Sequence, residues 1–538
     1  MIKVISTYIV LTALTLTGLL GQEFNRPTPE GFPNYEFRKP GVSSSDGHYL
    51  MAPMVMAQQS SIRNLAIFDN NGYLAWKAGN GISIYTNFEY HPNHKAFTFA
   101  SKTTPSSLMT FYVMDSTFSV VDSVLSANNS QTDIHEFRIL DNGNYLISGN
   151  ITTSEDLSSY EFSGVPGSSE TVVLSFVIQE FEDGDLVFYW KSIDHIHPEE
   201  FIDDTYSYNQ DYFDYVHGNA IELDSDGNFL VSMRHADAIY KIDRLTGDVI
   251  WKLGGNSSQF EFTNDDGFSG QHDVRVLPNG NLTLFDNGNS RPAPRFSRAV
   301  EYEIDLIDST ATRVWEYSNE YDSYSRAMGN VRTHENGERI IGFGACNRPE
   351  SNFIHLDYQD DIISELLFQD SVVSYRALRA DFTFELNRPE ISCAYINNEI
   401  ILGAPAGYSL YNWSTGEETQ EISVSGLGTY QVWVNHGIGM IGSIPFELFD
   451  IENPCGELSS HNLEQQHNEL IRPTQDNGIF DIASSGRIMV INSVGQLVLS
   501  ETLGRPSKID IAESPSGAYL IVLITEELKQ ICKRVMKL

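Results

Sequence analysis

A unit made of two consecutive β-hairpins recurs along this chain, and it constrains the fold more than any other feature. The clearest copy consists of "AIELDSDGNFLVSM" followed by "AIYKIDRLTGDVIWKL". In each half, two runs of alternating apolar residues flank a glycine-containing turn, which is typical of a β-hairpin. Clear copies are "HEFRILDNGNYLISGN" with "VLSFVIQEFEDGDLVFYWK", "HDVRVLPNGNLTLFDNG" with "RAVEYEIDLIDSTATRVWEY", and "GNVRTHENGERIIGFG" with "NFIHLDYQDDIISELLF". Fainter copies begin at "YLMAPMV" and "FEYHPNHKAFTFA".

Six units of four short strands, with almost no helical periodicity, predict an all-β fold that contains a six-bladed β-propeller. A strand-like piece after the sixth unit, "VSYRALRADFTFEL", is expected to complete the ring. Stacked β-sandwiches are the competing all-β architecture, but the similarity of the units favours the propeller. The propeller is predicted to span residues 22–388.

Two smaller β modules are predicted after the ring. Residues 389–455 contain short alternating strands and Trp413, which suits a small β-sandwich. A polar linker at 456–467 precedes a second small β domain at 468–538. The chain has only four cysteines, too few for a disulfide scaffold. Cys393 and Cys455 flank the sandwich segment and could pair in an oxidising compartment, whereas Cys346 and Cys532 have no predicted partner.

The charge balance limits the ligands that the protein can bind. There are 34 Lys and Arg against 72 Asp and Glu, a formal net charge of −38. Such a field repels nucleic acid and anionic membrane surfaces. An anionic small substrate must therefore meet a local group of Arg and His residues.

The N-terminus predicts export. Residues 1–21 contain one Lys followed by an apolar run that ends before a polar Gln, as in a signal peptide. An uncleaved membrane anchor is the alternative, because the run is rather long. No other segment approaches the roughly twenty apolar residues that span a bilayer.

Histidines recur at one level of the repeated unit. His135 and His272 lie eight residues before the turn glycines Gly143 and Gly280, and His217 lies ten before its own. Since the innermost strands of a propeller line its central channel, these three imidazoles are expected at one mouth of that channel. The connectors between hairpins add basic side chains: Arg234, His235, Arg291 and Arg298. Arg and His converging on a channel suit a tetrahedral oxyanion.

No metal or other cofactor is expected. No Cys and His spacing is typical of a zinc site, and the isolated "DSDG" lacks the other ligands of a calcium loop. We interpret it as a hairpin turn.

Four motifs, "HGNA", "SMRHADAIYKIDRLTGDVIWKLGG", "QHDVRVLPNGNLTLFDNGNSR" and "SRAVEYEID", resemble the bacterial arylsulfate sulfotransferases. The resemblance implies a six-bladed propeller that moves a sulfuryl group from an aryl sulfate ester to a phenol. It also implies a transiently sulfurylated histidine and no nucleotide sulfate donor. By motif, His217 and His272 match active-site histidines, and Arg291 matches the arginine of the family's "DNG" connector, with Arg298 as the alternative. Other residues near these motifs are candidates for substrate binding: His135, Asn219, Arg234, His235, Ser374, Tyr375 and Arg376.

The chain departs from the family at the nucleophile. The family histidine is expected before a "YRA" motif, which here is Tyr375-Arg376-Ala377, and Ser374 stands in its place. Serine is a poor replacement without a base to activate it. Another histidine such as His135 or His235 takes over, or transfer is direct, or catalysis is lost. The rival hypothesis is accordingly a noncatalytic propeller that binds a ligand or a glycan.

The C-terminal modules also resemble known domains. "APAGYSLYNWSTGEETQEISVSGLGTYQVWV" is similar to Ig-like repeats of secreted Bacteroidetes proteins. Residues 468–538 resemble the sorting domain of type IX secretion through "NGIFDI", "INSVGQLV" and "SPSGAYLI". This resemblance implies the type IX secretion machinery as a partner, and a route through periplasm and outer membrane to the cell surface or medium. An ordinary small β domain is the alternative.

Overall fold

A computed structural model of the chain describes most of its length. The described residues are 24–41, 43, 46–55, 63–79, 83–102, 107–162, 164–202, 208, 212–319, 323–346, 352–369, 372–448, 451, 454–455, 471–473, 478–483, 485–492, 497–512, 514, 517–525 and 530–537. The predicted signal peptide (1–21) and the predicted linker (456–467) lie outside them. The regular structure is almost entirely β, which confirms the all-β class. Four short 3-10 helices are described: Pro92–His94, Ser192–Asp194, Pro198–Glu200 and Arg234–Ala236.

Six antiparallel sheets, called sheets 1 to 6 in chain order, account for the repeated units. Their four main strands, from the inner to the outer edge, are as follows. Sheet 1 has Ala377–Ala380, His48–Met51, Leu65–Phe68 and Leu74–Ala78; sheet 2 has Ile84–His91, Ala96–Lys102, Thr110–Met114 and Val120–Val124; sheet 3 has Gln131–Ile139, Tyr145–Glu155, Thr171–Glu182 and Asp185–Lys191. Sheet 4 has Gly218–Leu223, Phe229–Met233, Ala238–Ile242 and Val249–Gly254; sheet 5 has His272–Val276, Leu282–Asp286, Arg298–Asp305 and Thr310–Tyr317; sheet 6 has Asn330–Thr333, Arg339–Gly342, Phe353–Leu356 and Ile362–Phe368.

Glycines set the tight turns between the first two strands of these sheets. Gly227 has φ 84° and Gly280 has φ 89°, in the left-handed region that L side chains rarely adopt. The Asp-Gly and Asn-Gly signals read from the sequence therefore correspond to real turns. They fix the register that places the residues of the inner strands.

Apolar side chains join each sheet to the next in a closed cycle. Buried clusters combine residues of sheets 1 and 2, 2 and 3, 3 and 4, 4 and 5, 5 and 6, and finally 6 and 1. The strand after the sixth unit closes the cycle: Ala377–Ala380 pairs with His48–Met51 at the inner edge of sheet 1. Because each sheet is buried on both faces, its inner strands are held rigidly around a common centre.

Other parts of the chain extend the outer edges of two sheets. Tyr35–Arg38 pairs with Ile362–Phe368 of sheet 6, and Phe24–Asn25 pairs with Tyr35–Arg38 in turn. Gly439–Gly442 pairs with Leu74–Ala78 of sheet 1, and Val432–His436 and Tyr411–Trp413 continue the same sheet. The segment predicted as a sandwich (389–455) thus shares a sheet and a core with sheet 1. Cys393 and Cys455 form a disulfide.

The remaining strands form small sheets. Short pairs are Met54–Val55 with Val372–Val373, Glu161–Phe162 with Val165–Pro166, and Gly428–Tyr430 with Phe446–Leu448; Ser392–Ile396, Glu399–Gly403 and Glu421–Val424 form one sheet; Tyr212–Phe213 adds to sheet 3 and Glu261–Phe262 to sheet 5. The C-terminal strands are Ile471–Pro473, Ile479–Ile482 and Ser507–Asp510 in one sheet, and Gly486–Asn492, Leu497–Leu503, Gly517–Thr525 and Gln530–Lys537 in another. These C-terminal strands bury an apolar cluster of their own. Among the described residues, no helix is long and apolar enough to span a bilayer.

Candidate active site

Irregular pairing at the inner strands directs side chains to the centre of the cycle. The register shifts near the start of the inner strands of sheets 2, 3, 4 and 5. Asn87, His217 and Asp273 have φ between 47° and 58° at these places. Bulges of this kind re-aim side chains and are common next to active sites. The irregular stretches include His135 and lie beside His217 and His272.

His135 and Asp133 on the inner strand of sheet 3 form a tight pair. The Nδ1 atom of His135 lies 2.6 Å from Oδ2 of Asp133, which also accepts the backbone N–H of His135 at 3.1 Å. Ser148 and Asn150 donate further hydrogen bonds to the same carboxylate. Burial alone would raise the pKa of Asp133, but His135 outweighs it and the pKa lies below its usual range. The carboxylate therefore holds the proton of His135 on Nδ1 and leaves Nε2 as the basic atom.

Asp214 orients two further imidazoles. Its Oδ2 lies 2.6 Å from Nδ1 of His217, and its backbone oxygen lies 2.6 Å from Nδ1 of His235. The ring centroid of His217 is 5.0 Å from that of His135 and 4.7 Å from that of His235. Burial and then the neighbouring His217 lower the pKa of His235 to about 3, so this ring is neutral. We call these three histidines with Asp133 and Asp214 the histidine cluster.

His272 lies close enough for His135 and His217 to influence its titration, but its ring nitrogens are bound within the protein. Nδ1 lies 3.0 Å from the oxygen of Gly270 and 2.8 Å from Oδ1 of Asn287. The backbone N–H of Met328 donates to Nε2 at 3.1 Å. Only 2% of the residue is exposed, and burial, followed by the charge of Arg234, holds its pKa well below the usual value. His272 is thus a neutral, internally bonded imidazole beside the cluster.

Three other candidates adjoin the histidine cluster. The hydroxyl of Tyr375 donates to the backbone oxygen of Asn219 at 3.0 Å, and its ring lies 5.5 Å from that of His135. Asn219 is buried and its amide donates to the oxygen of Gln271 at 2.7 Å. Arg234 is buried on the 3-10 helix next to His235, and its charge lowers the pKa of both His235 and His272. Positive charge is therefore present at the cluster in spite of the acidic chain.

The two connector arginines, Arg291 and Arg298, share Asp286 as a hydrogen-bond partner. Arg291 donates to Asp286 and to the backbone oxygen of Phe296 at 2.8 Å. Arg298 donates to Asp286 at 2.9 Å and to Asp265 at 2.8 Å. The hydrogen bonds described for these guanidinium groups thus go to acids and backbone oxygens outside the histidine cluster. These bonds stabilise the connector between the second and third strands of sheet 5.

Ser374 is likewise occupied. Its hydroxyl donates to the backbone oxygen of Arg376 at 2.6 Å and accepts the N–H of Ala52 at 3.0 Å. The first bond lies within the ring-closing segment, and the second ties that segment to the end of the strand His48–Met51 of sheet 1. Ser374 therefore has a structural role where the resemblance implies a nucleophile.

Arg376 belongs to a buried group of paired charges on the inner strands, which we call the ion network. Its members are Arg138, Arg275, Arg332, Arg376, Glu89, Glu136, Glu222 and Asp273. Glu136 receives Arg275 at 2.8 Å and Arg376 at 3.1 Å. Burial would raise the pKa of Glu136, but these two arginines lower it well below the usual range. Four positive and four negative groups balance one another.

Sequence reasoning missed the acids of the site. Asp133 precedes His135 by two residues and Asp214 precedes His217 by three, in "DIH" and "DYVH". An acid two or three positions before two of the three repeated histidines was the available signal. Of the described residues, Asp214, His217 and His235 also bring one potential metal-ligand atom each within 4.8 Å of one another.

Two known proteins are similar to short segments of this chain. A segment of 97 residues is 36% identical to "Arylsulfate sulfotransferase AssT" of Escherichia coli O6:H1, covering 16% of this chain and 15% of that protein. A segment of 87 residues is 36% identical to the protein of the same name from Lelliottia amnigena, covering 14% of each. The chain thus spans about a seventh of the length of these relatives.

A solved structure and a family model extend the comparison. A Bacteroides caccae protein of unknown function aligns with a TM-score of 0.38 and 11% identity, over 62% of this chain and 99% of its own. The model of the family described as Arylsulfotransferase (ASST) matches residues 42–376, which include the four main strands of every sheet except the ring-closing strand Ala377–Ala380 of sheet 1. This match covers well over half of the chain. The chain therefore belongs to the arylsulfotransferase (ASST) family.

Proposed function

We propose that this protein transfers a sulfuryl group from an aryl sulfate ester to a phenolic acceptor, without a nucleotide donor or a cofactor. The six sheets, arranged in a closed cycle, would be the blades of a propeller. One observation carries the proposal: His135 and His217 each hold Nδ1 against a carboxylate at 2.6 Å, with their rings 5.0 Å apart. Two oriented imidazoles can supply a nucleophile and a proton carrier.

We assign the nucleophile to His217. Its side chain is 29% exposed, whereas that of His135 is 11% exposed, so His217 is more accessible to a substrate. In the first step, Nε2 of His217 forms a bond to sulfur as the bond from sulfur to the aryl oxygen breaks. The proton that stays on Nδ1 is held by Asp214, which stabilises the cationic sulfurylated ring.

His135 serves as the proton carrier. Its protonated Nε2 gives a proton to the departing phenolate in the first step. The neutral ring then accepts the proton of the acceptor phenol, whose oxygen attacks sulfur while the bond from sulfur to His217 breaks. Arg234 contributes positive charge for the sulfuryl oxygens, as guanidinium groups do for oxyanions.

The test is turnover of a chromogenic aryl sulfate with added phenol. We expect release of the chromophore by the native protein and its loss in His217→Asn, while His197→Asn serves as a control because His197 is exposed and outside the cluster. Without acceptor, alkaline quenching and peptide mass spectrometry should find one sulfuryl group on His217. If the native protein binds aryl sulfates but releases no phenol with any acceptor, the noncatalytic binding propeller is correct.

We also propose that the chain is exported and sorted by the type IX secretion machinery. The Cys393–Cys455 disulfide favours an oxidising compartment. The C-terminal strands with their own apolar cluster suit a separately folded sorting domain, and residues 389–455 would form the Ig-like module. Fractionation of cells that produce the full chain should find it at the surface or in the medium.

A further inference from the structure

Asp214, His217 and His235 bring potential metal ligands together at the edge of the histidine cluster. Each offers one oxygen or nitrogen atom, and the three atoms lie within 4.8 Å of one another. Zinc bonds to such atoms are about 2.0–2.2 Å long, so ligand atoms around one ion are about 3.3 Å apart. To bind one ion, the three atoms must approach one another by at most about 1.5 Å.

The backbone already holds the two contributing segments together. The N–H of His235 donates to the oxygen of Val216 at 2.9 Å, and the N–H of Arg234 donates to the oxygen of His217 at 3.1 Å. Nδ1 of His235 is bonded to the oxygen of Asp214. These bonds fix the two segments relative to each other, so binding of an ion does not have to order them.

Access and charge favour a cation. The side chains of Asp214 and His217 are 22% and 29% exposed, so a solute can reach them. Asp133 adds a second carboxylate to the cluster. It is bonded to His135, whose ring packs against that of His217. The acidic chain as a whole, with a net charge of −38, also attracts cations.

We propose that Asp214, His217 and His235, the metal trio, bind a divalent transition-metal ion such as Zn²⁺. Two imidazoles and one carboxylate suit Zn²⁺ and Co²⁺, whereas Ca²⁺ and Mg²⁺ require mainly oxygen ligands. Three protein ligands leave a position for water. The ligand positions 214, 217 and 235 match no standard zinc spacing, so the sequence gives no sign of the site.

Binding of this ion inhibits sulfuryl transfer, a consequence that rests on the proposed function. The ion either takes the Nε2 lone pair of His217 or replaces the proton between its Nδ1 and Asp214. In both cases His217 can no longer form the bond to sulfur with its Nδ1 proton held by a carboxylate. The metal would thus act as a reversible regulator of the same site.

Metal binding is tested independently of activity. The full chain is treated with a chelator, and Co²⁺ is titrated while its visible absorption is recorded, followed by displacement with Zn²⁺. We expect one saturable site whose affinity falls about tenfold or more in Asp214→Asn and in His235→Gln, in line with the loss of a ligand or its support. His197→Gln should bind like the native protein, and Ca²⁺ and Mg²⁺ should not displace Co²⁺. Equal Co²⁺ affinity in the native protein and both trio variants overturns the site.

Inhibition is tested separately with the chromogenic aryl sulfate. We expect Zn²⁺ to abolish turnover at one equivalent per chain and a chelator to restore it. Stoichiometric Co²⁺ binding combined with full turnover in Zn²⁺ would overturn the inhibition but keep the site. A native protein without any turnover would count against the proposed function alone, because the Co²⁺ titration still decides the metal site.

Discussion

The histidine cluster and the ion network both include residues of the inner strand of sheet 3, yet the two groups balance their charges in opposite ways. In the network, Glu136 is fully buried and is matched by Arg275 and Arg376. In the cluster, His217 is partly exposed and each carboxylate faces imidazoles. Fully paired ions resist exchange of protons or ligands, whereas imidazoles near neutrality can take up and release both. The network therefore supports the structure, and the cluster is available for chemistry.

The largest expected effect is that of a substitution in the cluster that abolishes turnover but leaves the free energy of unfolding nearly unchanged. We expect His217→Asn to lower kcat by roughly 10³-fold or more, as the loss of a nucleophile does. Asn tolerates the left-handed backbone at this position, where φ is 47°, so the free energy of unfolding should change by less than about 1 kcal/mol. Turnover and urea unfolding are measured on the same preparation. A variant that is both inactive and strongly destabilised would show that the cluster is structural too.

The converse substitution lies in the network. Glu136→Gln leaves Arg275 and Arg376 without their shared carboxylate, and we expect the free energy of unfolding to fall by about 3–5 kcal/mol. Urea unfolding followed by tryptophan fluorescence measures the change. Glu303→Gln is the control, because this exposed carboxylate lies on the outer part of sheet 5. A loss below 1 kcal/mol would mean that water replaces the missing partner.

A pH experiment extends the comparison to a buried imidazole beside the network. His91 bonds to the hydroxyl of Thr98 at 2.9 Å, and burial lowers its pKa to about 4. The charged and titratable groups that act on it are Glu89, Arg138, His94 and Glu136. Because its folded-state pKa lies below the unfolded value of 6.5, its contribution to stability is complete above pH 6.5 and is lost as the pH falls to 4. The loss is at most about 3 kcal/mol.

The measurement compares unfolding of the native protein and His91→Gln between pH 7 and pH 4. Acidic groups titrate in both proteins, so the difference between the two curves isolates His91. We expect the native protein to lose more stability over this interval than the variant. Parallel curves would show that His91 is protonated in the folded state without cost.

The smallest effect is expected far from both regions. Removing residues 468–538 should leave turnover and the unfolding of the remaining chain unchanged, because the C-terminal strands bury their own apolar cluster. In the producing cell, the shortened chain should stay in the periplasm if the segment is a sorting domain. Normal export would refute the sorting role, and loss of folding would show that the segment packs on the rest of the protein.

Most of the fold that could be predicted from the sequence was predicted from the repeated turn signals. They identify the units that form the six sheets, and the register of His135 and His217 places two rings 5.0 Å apart, as expected from equivalent positions. Hairpins are local, so their signals lie within a few residues of sequence. The predicted ring-closing strand also pairs where the repeat requires it.

Long-range pairing set the limit of prediction. Arg376 meets Glu136 from 240 positions away, and no local pattern in the sequence marks this contact. The resemblance assigned Arg291 to the site, but its guanidinium group forms an ion pair with Asp286, only five positions away in the sequence. Local bulges decide whether a side chain faces a partner or the centre, and their geometry is not visible in residue types alone.

The ring-closing strand has a consequence for how the protein is made. Ala52 and Ser374, which are joined by a hydrogen bond beside it, are 322 positions apart. While the chain emerges from the ribosome, the inner edge of sheet 1 has no neighbour until the last of the six units has been made. Contacts between such distant positions form slowly, and an unpaired edge invites aggregation. We therefore expect the incomplete ring to need protection during biosynthesis, and a product truncated before residue 377 should be recognised by quality-control proteases.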